Sequence, residues 1–166
     1  MRYGDRIVAM TRRALDDFFR TARTVPEERQ NWKPQETSRS VLEQAMEVAL
    51  TPLSFAVTLA TRVFPPSDEA AGEKIGRQVQ SCHTLAEWEQ ACRDNSEELF
   101  AAIRLLSDDD LDGPIAIGQR LPFTSAPTCP LAEIAMFHHD NTVYHTGQIN
   151  YIQTLYGDDK WHEVSA

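Results

Sequence analysis

Apolar residues Ile7, Val8, Met10, Leu15, Phe18 and Phe19 recur at helical spacing among charged ones from Asp5 to about Thr24, and Pro26 lies just beyond. That spacing gathers them on one stripe and predicts a first amphipathic helix. The segment from Pro26 to Glu36 breaks the pattern and reads as a connection, with Trp32 covering one end of the core. A second helix is expected to start near Thr37 or Ser38. It carries Val41, Leu42, Ala45, Met46, Ala49, Leu53, Ala56, Leu59 and Ala60 towards Phe64, where Pro65-Pro66 stops it. Pro52 has no backbone donor to give inside that run, so either a kink or two shorter helices meeting near Thr51 should result.

The acidic, glycine-containing stretch that follows reads as a loop. Thr84-Leu85-Ala86-Glu87 then has the form of a capping box, opening a third helix with Trp88, Ala91, Cys92, Leu99, Ile103 and Leu106 as its apolar stripe. Ser107-Asp108-Asp109-Asp110 should end it, because short polar side chains compete with the backbone and negative charge accumulates at the negative helix end. From Leu111 to Pro130, Gly113-Pro114, Pro122, Pro127 and Pro130 interrupt short apolar runs, which predicts a long non-helical crossover with room for a short hairpin. Pro130 suits the first turn of a fourth helix running from about Leu131 to Tyr156 and closed by Gly157. Four amphipathic helices without alternating strands predict an all-α fold, a four-helix bundle with a long crossover before the last helix.

Composition narrows this little. The 166 residues suit one domain spanning 1–166, with 42% hydrophobic and 25% charged residues. A net charge of -9 opposes binding to a phosphate backbone, and the densest basic cluster, Arg12, Arg13, Arg20 and Arg23, is interrupted by Asp16 and Asp17. No nucleic-acid partner is therefore expected. Asp5 and Arg6 stand where a signal peptide needs apolar residues, and no run is long enough to span a membrane, so a cytoplasmic protein without a membrane partner is expected. Cys82, Cys92 and Cys129 are odd in number and lack paired short spacings, which favours reduced, partly buried thiols.

With Ile134 facing the core, helical spacing places His138, Asn141, His145, Gln148, Ile152 and Leu155 on the same side of the last helix. The middle of that stripe is polar, and each buried amide or imidazole there needs a partner or costs about 1–3 kcal/mol. A divalent metal site, a wet cavity for a small molecule, and a satisfied hydrogen-bond network each account for it. His139 points to another helical face, and His83 and His162 lie outside the stripe, so these three read as surface or capping residues. Neither a Gly-x-Ser-x-Gly elbow nor a phosphate-binding glycine-rich loop is present, so a nucleophile-triad enzyme is not supported.

Tyr144-His145-Thr146-Gly147-Gln148-Ile149, preceded by His138-His139-Asp140-Asn141, resembles the last-helix motif of the DinB/YfiT-like superfamily. Trp32-x-Pro34 followed by Ser40-x-x-Glu43 is similar to that family's approach to its second helix. The resemblance implies a bundle that binds a divalent metal through three histidines, one on the second helix and two spaced i, i+4 on the last. His145 matches the final ligand, whereas Asn141 stands four residues before it, and Glu47 stands where the second-helix histidine would be. A carboxylate is a competent ligand for zinc, nickel, manganese or iron, and an amide is a weak one. His138 could substitute, although seven residues from His145 amount to about 10 Å along the axis. The expected metal set is thus Glu47, His138 and His145, with Asn141 as a weak fourth.

The resemblance implies a metal-dependent hydrolase or a thiol-dependent S-transferase, with Tyr144 and Gln148 lining the pocket, Tyr144 being better explained by packing between helices. The competing readings are a metal-free bundle that binds a small molecule and a dimeric scaffold that buries an apolar helix face against a second copy.

Overall fold

The computed structural model describes residues 1–117, 126–158 and 160, and it is helical almost throughout. Four long helices, α1 (Tyr3–Arg23), α2 (Val41–Thr61), α4 (Leu85–Arg104) and α6 (Leu131–Leu155), form the bundle. Helix α1 packs on α4 and α6, and α2 packs on the same two from the other side, so the four close a ring around one core. Phe18, Phe19, Leu59, Leu99, Phe100, Ile103, Ile134 and Ile149 fill it. Met10, grouped with the apolar stripe of α1 by spacing alone, sits at the stripe's edge and is exposed.

Helix α2 starts at Val41, with its apolar pattern, about one turn after the start expected near Thr37 or Ser38. Ser40 is the N-cap: its hydroxyl accepts from the Glu43 N–H at 3.2 Å, and the Glu43 carboxylate accepts from the Ser40 N–H at 2.8 Å. The helix ends at Arg62, which adopts a left-handed φ of 59°, before the prolines are reached. It runs through Pro52 without dividing into two. Neighbouring side chains meet the carbonyls around the proline. The Cys92 thiol donates to the Val48 carbonyl at 3.8 Å, Asn95 donates to that of Ala49 at 2.9 Å, and the Thr51 hydroxyl to that of Glu47 at 2.7 Å. Val48 is the residue whose carbonyl loses its usual i+4 donor to Pro52, so α4 and α2 itself compensate the break.

The stretch after the second helix, expected as a loop, contains helix α3 (Glu69–Ser81). Asp68 caps it by accepting from the Ala71 N–H at 2.7 Å, and Gln78 pairs with the buried Asn95 of α4. None of its residues is buried, which is why no apolar periodicity announced it. The aspartate run after α4 also behaves differently from expectation. Helix α4 does end at Arg104, but Ser107 then caps a further short helix, α5 (Asp108–Asp112), with Asp110 completing the capping box. The three carboxylates thereby lie at a positive helix end instead of a negative one.

The crossover is non-helical from Gly113 onward where it is described. Strands β1 (Pro114–Ala116) and β2 (Thr128–Pro130) pair antiparallel, with Ile115 opposite Cys129. Pro122 falls outside the described residues, as does His162. Helix α6 follows directly from Pro130 and closes at Tyr156, with Gly157 at a φ of 90°. Trp32 covers the bundle end that the sequence assigned to it, edge-on to Tyr156 with ring centroids 6.0 Å apart. No helix of the described residues is long and apolar enough to cross a membrane.

Candidate functional site

The polar stripe of α6 divides into two separate environments. His138 is fully buried and its Nε2 lies 3.0 Å from the Ser96 hydroxyl of α4. Burial pushes its pKa down to about 3, with His139 adding a smaller push in the same direction, so the ring is neutral. Ser96 in turn sits 3.9 Å from the Cys92 sulfur. Desolvation raises that thiol to about 12, so Cys92 is a buried, inert thiol. His138, Ser96 and Cys92 thus form a packed polar chain between α4 and α6.

Two turns further along α6, His145 faces α2. Its Nδ1 lies 2.7 Å from the Gln148 carbonyl oxygen, to which it donates, and its Nε2 lies 3.3 Å from Glu47 Oε1. Burial, and secondarily the Arg39 guanidinium, lowers the pKa of His145, while the Gln148 contact works against them. A neutral ring protonated at Nδ1 turns an unprotonated Nε2 toward Glu47, consistent with Nε2 having no hydrogen-bond donor or acceptor partner. With the ring in that form the Glu47 approach is not a hydrogen bond, and it becomes an ion pair only when His145 is protonated. Glu47 satisfies its charge elsewhere, in an ion pair with Arg39.

Of the four candidate metal ligands, the structure brings two together, Glu47 and His145. His138 is turned to Ser96, and the Asn141 amide donates to the Thr51 hydroxyl of α2 at 3.3 Å. Among the described residues no three His, Cys, Asp or Glu side chains converge as a metal cluster would require. Among the described residues, the expected set of Glu47, His138 and His145 is therefore not brought together at one point. The seven-residue separation of the histidines is not overcome by leaning, because a buried hydroxyl on α4 already receives the His138 ring. What remains for an ion is one imidazole nitrogen, one carboxylate already paired with a guanidinium and one neutral amide. Only the imidazole and the carboxylate are donors of the kinds that zinc sites use, one short of the three in an open catalytic site, so this donor set does not fit a tightly held divalent ion.

Beside this cluster lies a cleft of about 1000 Å³, bounded by α6 on one side and by residues 34–39 with the first turn of α2 on the other. Gln148 and Tyr144 both line it. Tyr144 is 64% exposed and meets the His145 ring edge-on at 5.3 Å, so it does not pack between helices. Leu155, assigned to the inward stripe, is instead a half-exposed part of the cleft rim, because the stripe drifts around α6 over its last turn.

Sequence reasoning missed Arg39, Gln44 and Tyr151. Gln44 had a legible signal, since it is a polar residue on the buried stripe between Val41 and Val48 and one turn before Glu47. Arg39 and Tyr151 had none, because a charged residue before a cap and an exposed aromatic on a helix are ordinary features. His139 pairs with the neighbouring Asp140 at 2.8 Å, away from the cluster.

The described residues thus form an all-α bundle with a polar cluster where its second and last long helices meet. Its fold is similar to that of a DinB-like protein, YjoA from Bacillus subtilis, whose crystal structure matches 96% of this chain and 99% of its own with a TM-score of 0.63. The two sequences are 14% identical, so the likeness is one of fold. No family model and no curated protein matches the sequence.

Proposed function

We propose that this chain is a metal-independent, small-molecule-binding bundle whose site is the cleft between α6 and the approach to α2. The observation that carries the proposal is the ion pair of Glu47 with Arg39 beside His145. The exposed Arg39 guanidinium supplies the positive charge that a metal would otherwise bring to the carboxylate, and a divalent ion placed there would have to displace it. The cleft beside it has the volume of an ordinary ligand site and combines aromatic, aliphatic and amide groups.

Elemental analysis and calorimetric titration of untagged, chelator-treated protein with zinc, nickel and manganese test the reading. No tight stoichiometric ion is expected, whereas a thermal-shift screen of small organic molecules should yield stabilising ligands that Tyr151→Ala weakens. Glu47→His combined with Asn141→His should create zinc binding, and adding Arg39→Ala should strengthen it. Tight zinc uptake by the unaltered chain, abolished by His145→Ala and weakening as pH falls through the histidine range, would return the metal-dependent hydrolase or S-transferase reading to first place.

A further inference from the structure

We propose that the cleft takes a small organic acid, its carboxylate on Arg39 and a hydroxyl or N–H donor of the same molecule on Gln44 Oε1. This rests on reading the cleft as a ligand site and names the chemistry of its ligand.

Gln44 supplies the first observation. It is 1% exposed, it lines the cleft, and its Oε1 has no hydrogen-bond partner. A buried amide oxygen left unmatched is costly, so a ligand donor placed there satisfies a group that the fold leaves open. Arg39 supplies the second. Among the described residues lining the cleft it is the one that is formally charged, in a chain whose net charge is -9. Glu47 is not among the lining residues and bonds the guanidinium through Nη1. A guanidinium carries five N–H donors in a planar fork, and the edge not held by Glu47 is available to a carboxylate. Because one cation already shared with one carboxylate cannot neutralise several charges, a singly charged acid suits the site better than a polyphosphate.

The body of the ligand is set by α6. Tyr144 and Tyr151 are seven residues apart, on one helical face, and are 64% and 65% exposed. Gly147 lies between them in sequence and lines the same cleft, and a Cβ built there would stand in open space, so no side chain separates the two tyrosine positions. Ile152 and Leu155 continue the apolar wall. Two tyrosines on the wall favour a ligand with an aromatic ring, whose contact with them adds to its burial.

Isothermal titration of the full chain with 4-hydroxyphenylacetate, its neutral amide and the cationic tyramine separates the contributions. All three offer the same phenol, and they differ in the head group. The acid should bind about tenfold more tightly than the amide, with tyramine weakest. Arg39→Gln should bring the acid down to the level of the amide. Gln44→Leu should weaken acid and amide alike while raising the melting temperature, since it removes an unmatched buried polar atom, a combination that mere damage to the fold would not produce. If the amide or tyramine binds as tightly as the acid, the ligand class is wrong while the cleft remains a binding site. If none of the three binds in the millimolar range although the wider screen yields ligands sensitive to Tyr151→Ala, the acid assignment again fails alone. If that screen also yields none, the binding reading fails with it.

Discussion

The buried imidazole of His138 makes the stability of this bundle sensitive to mild acid. Its ring is fully buried against Ser96, and burial holds its pKa at about 3. In the unfolded chain the same group titrates near its ordinary value of about 6.5. Below that pH the unfolded chain gains a proton that the native state refuses. The stability associated with the neutral ring is therefore complete above about pH 6.5 and is lost as pH falls toward about 3. Acidification to about pH 5 covers roughly one and a half pH units of this window, at 1.36 kcal/mol each, so about 2 kcal/mol is lost. For a chain of this length that lowers the melting temperature by about 4–8 °C. His145, also held below its ordinary value, acts in the same direction. Glu43, Glu87, Glu89 and Asp110 are held below theirs as well, but their contribution is lost only as pH falls below the ordinary carboxylate range. Urea melts of the wild type and of His138→Gln between neutral pH and about pH 5 provide the assay, with the variant losing about one proton from the slope. Equal slopes for the two proteins, or a proton resonance of His138 titrating near its ordinary value, would refute the reasoning.

Other perturbations test the packing around the site. Asn95 is fully buried and joins the Ala49 carbonyl of α2 to Gln78 of α3, so Asn95→Ala should cost about 2–3 kcal/mol in a denaturant melt and speed amide exchange in α3. A loss no larger than that of an exposed asparagine would show that the bridge contributes little. A thiol reagent should label half-exposed Cys82 first, and Cys92, raised to about 12, only on global unfolding. Rapid labelling of both in the native state would contradict the burial of the chain linking Cys92, Ser96 and His138. Gly147→Ala should raise stability by about 0.5–1 kcal/mol, because the added methyl meets nothing and helix propensity improves. A drop in the melting temperature would mean that the position is more confined than the open space around it indicates.

Much of the architecture was legible because it depends on local rules. The capping box at Thr84, the helix-stopping glycine at 157 and the proline-rich crossover follow from residue types at fixed offsets, whereas the same motif at Ser40 went unread and the second helix was expected to begin near Thr37 or Ser38. Helix α3 was not legible, since its stability comes from one cap and from polar contacts with α4, neither of which produces an apolar stripe. Periodicity on α6 likewise identified an inward polar face correctly for His138 and His145, yet could not say that the two would meet different neighbours.

The sequence by itself determined that this chain makes helices with one apolar side each, where most of them begin and end, and that α6 carries imidazoles and amides into the interior. These properties follow from spacing at 3.6 residues per turn and from backbone groups that must be capped within a few residues. Only the tertiary structure decided what those polar groups do. Whether His138 reaches a metal or Ser96, whether Glu47 is free or held by Arg39, and whether Gln44 is satisfied or open to a cleft depend on which helix faces which and at what height. The physical reason is range. Helix formation is settled within a turn or two of chain, while the charge and hydrogen-bond balance of a site is settled between residues such as Arg39, Glu47 and His145, which packing brings together and sequence spacing does not.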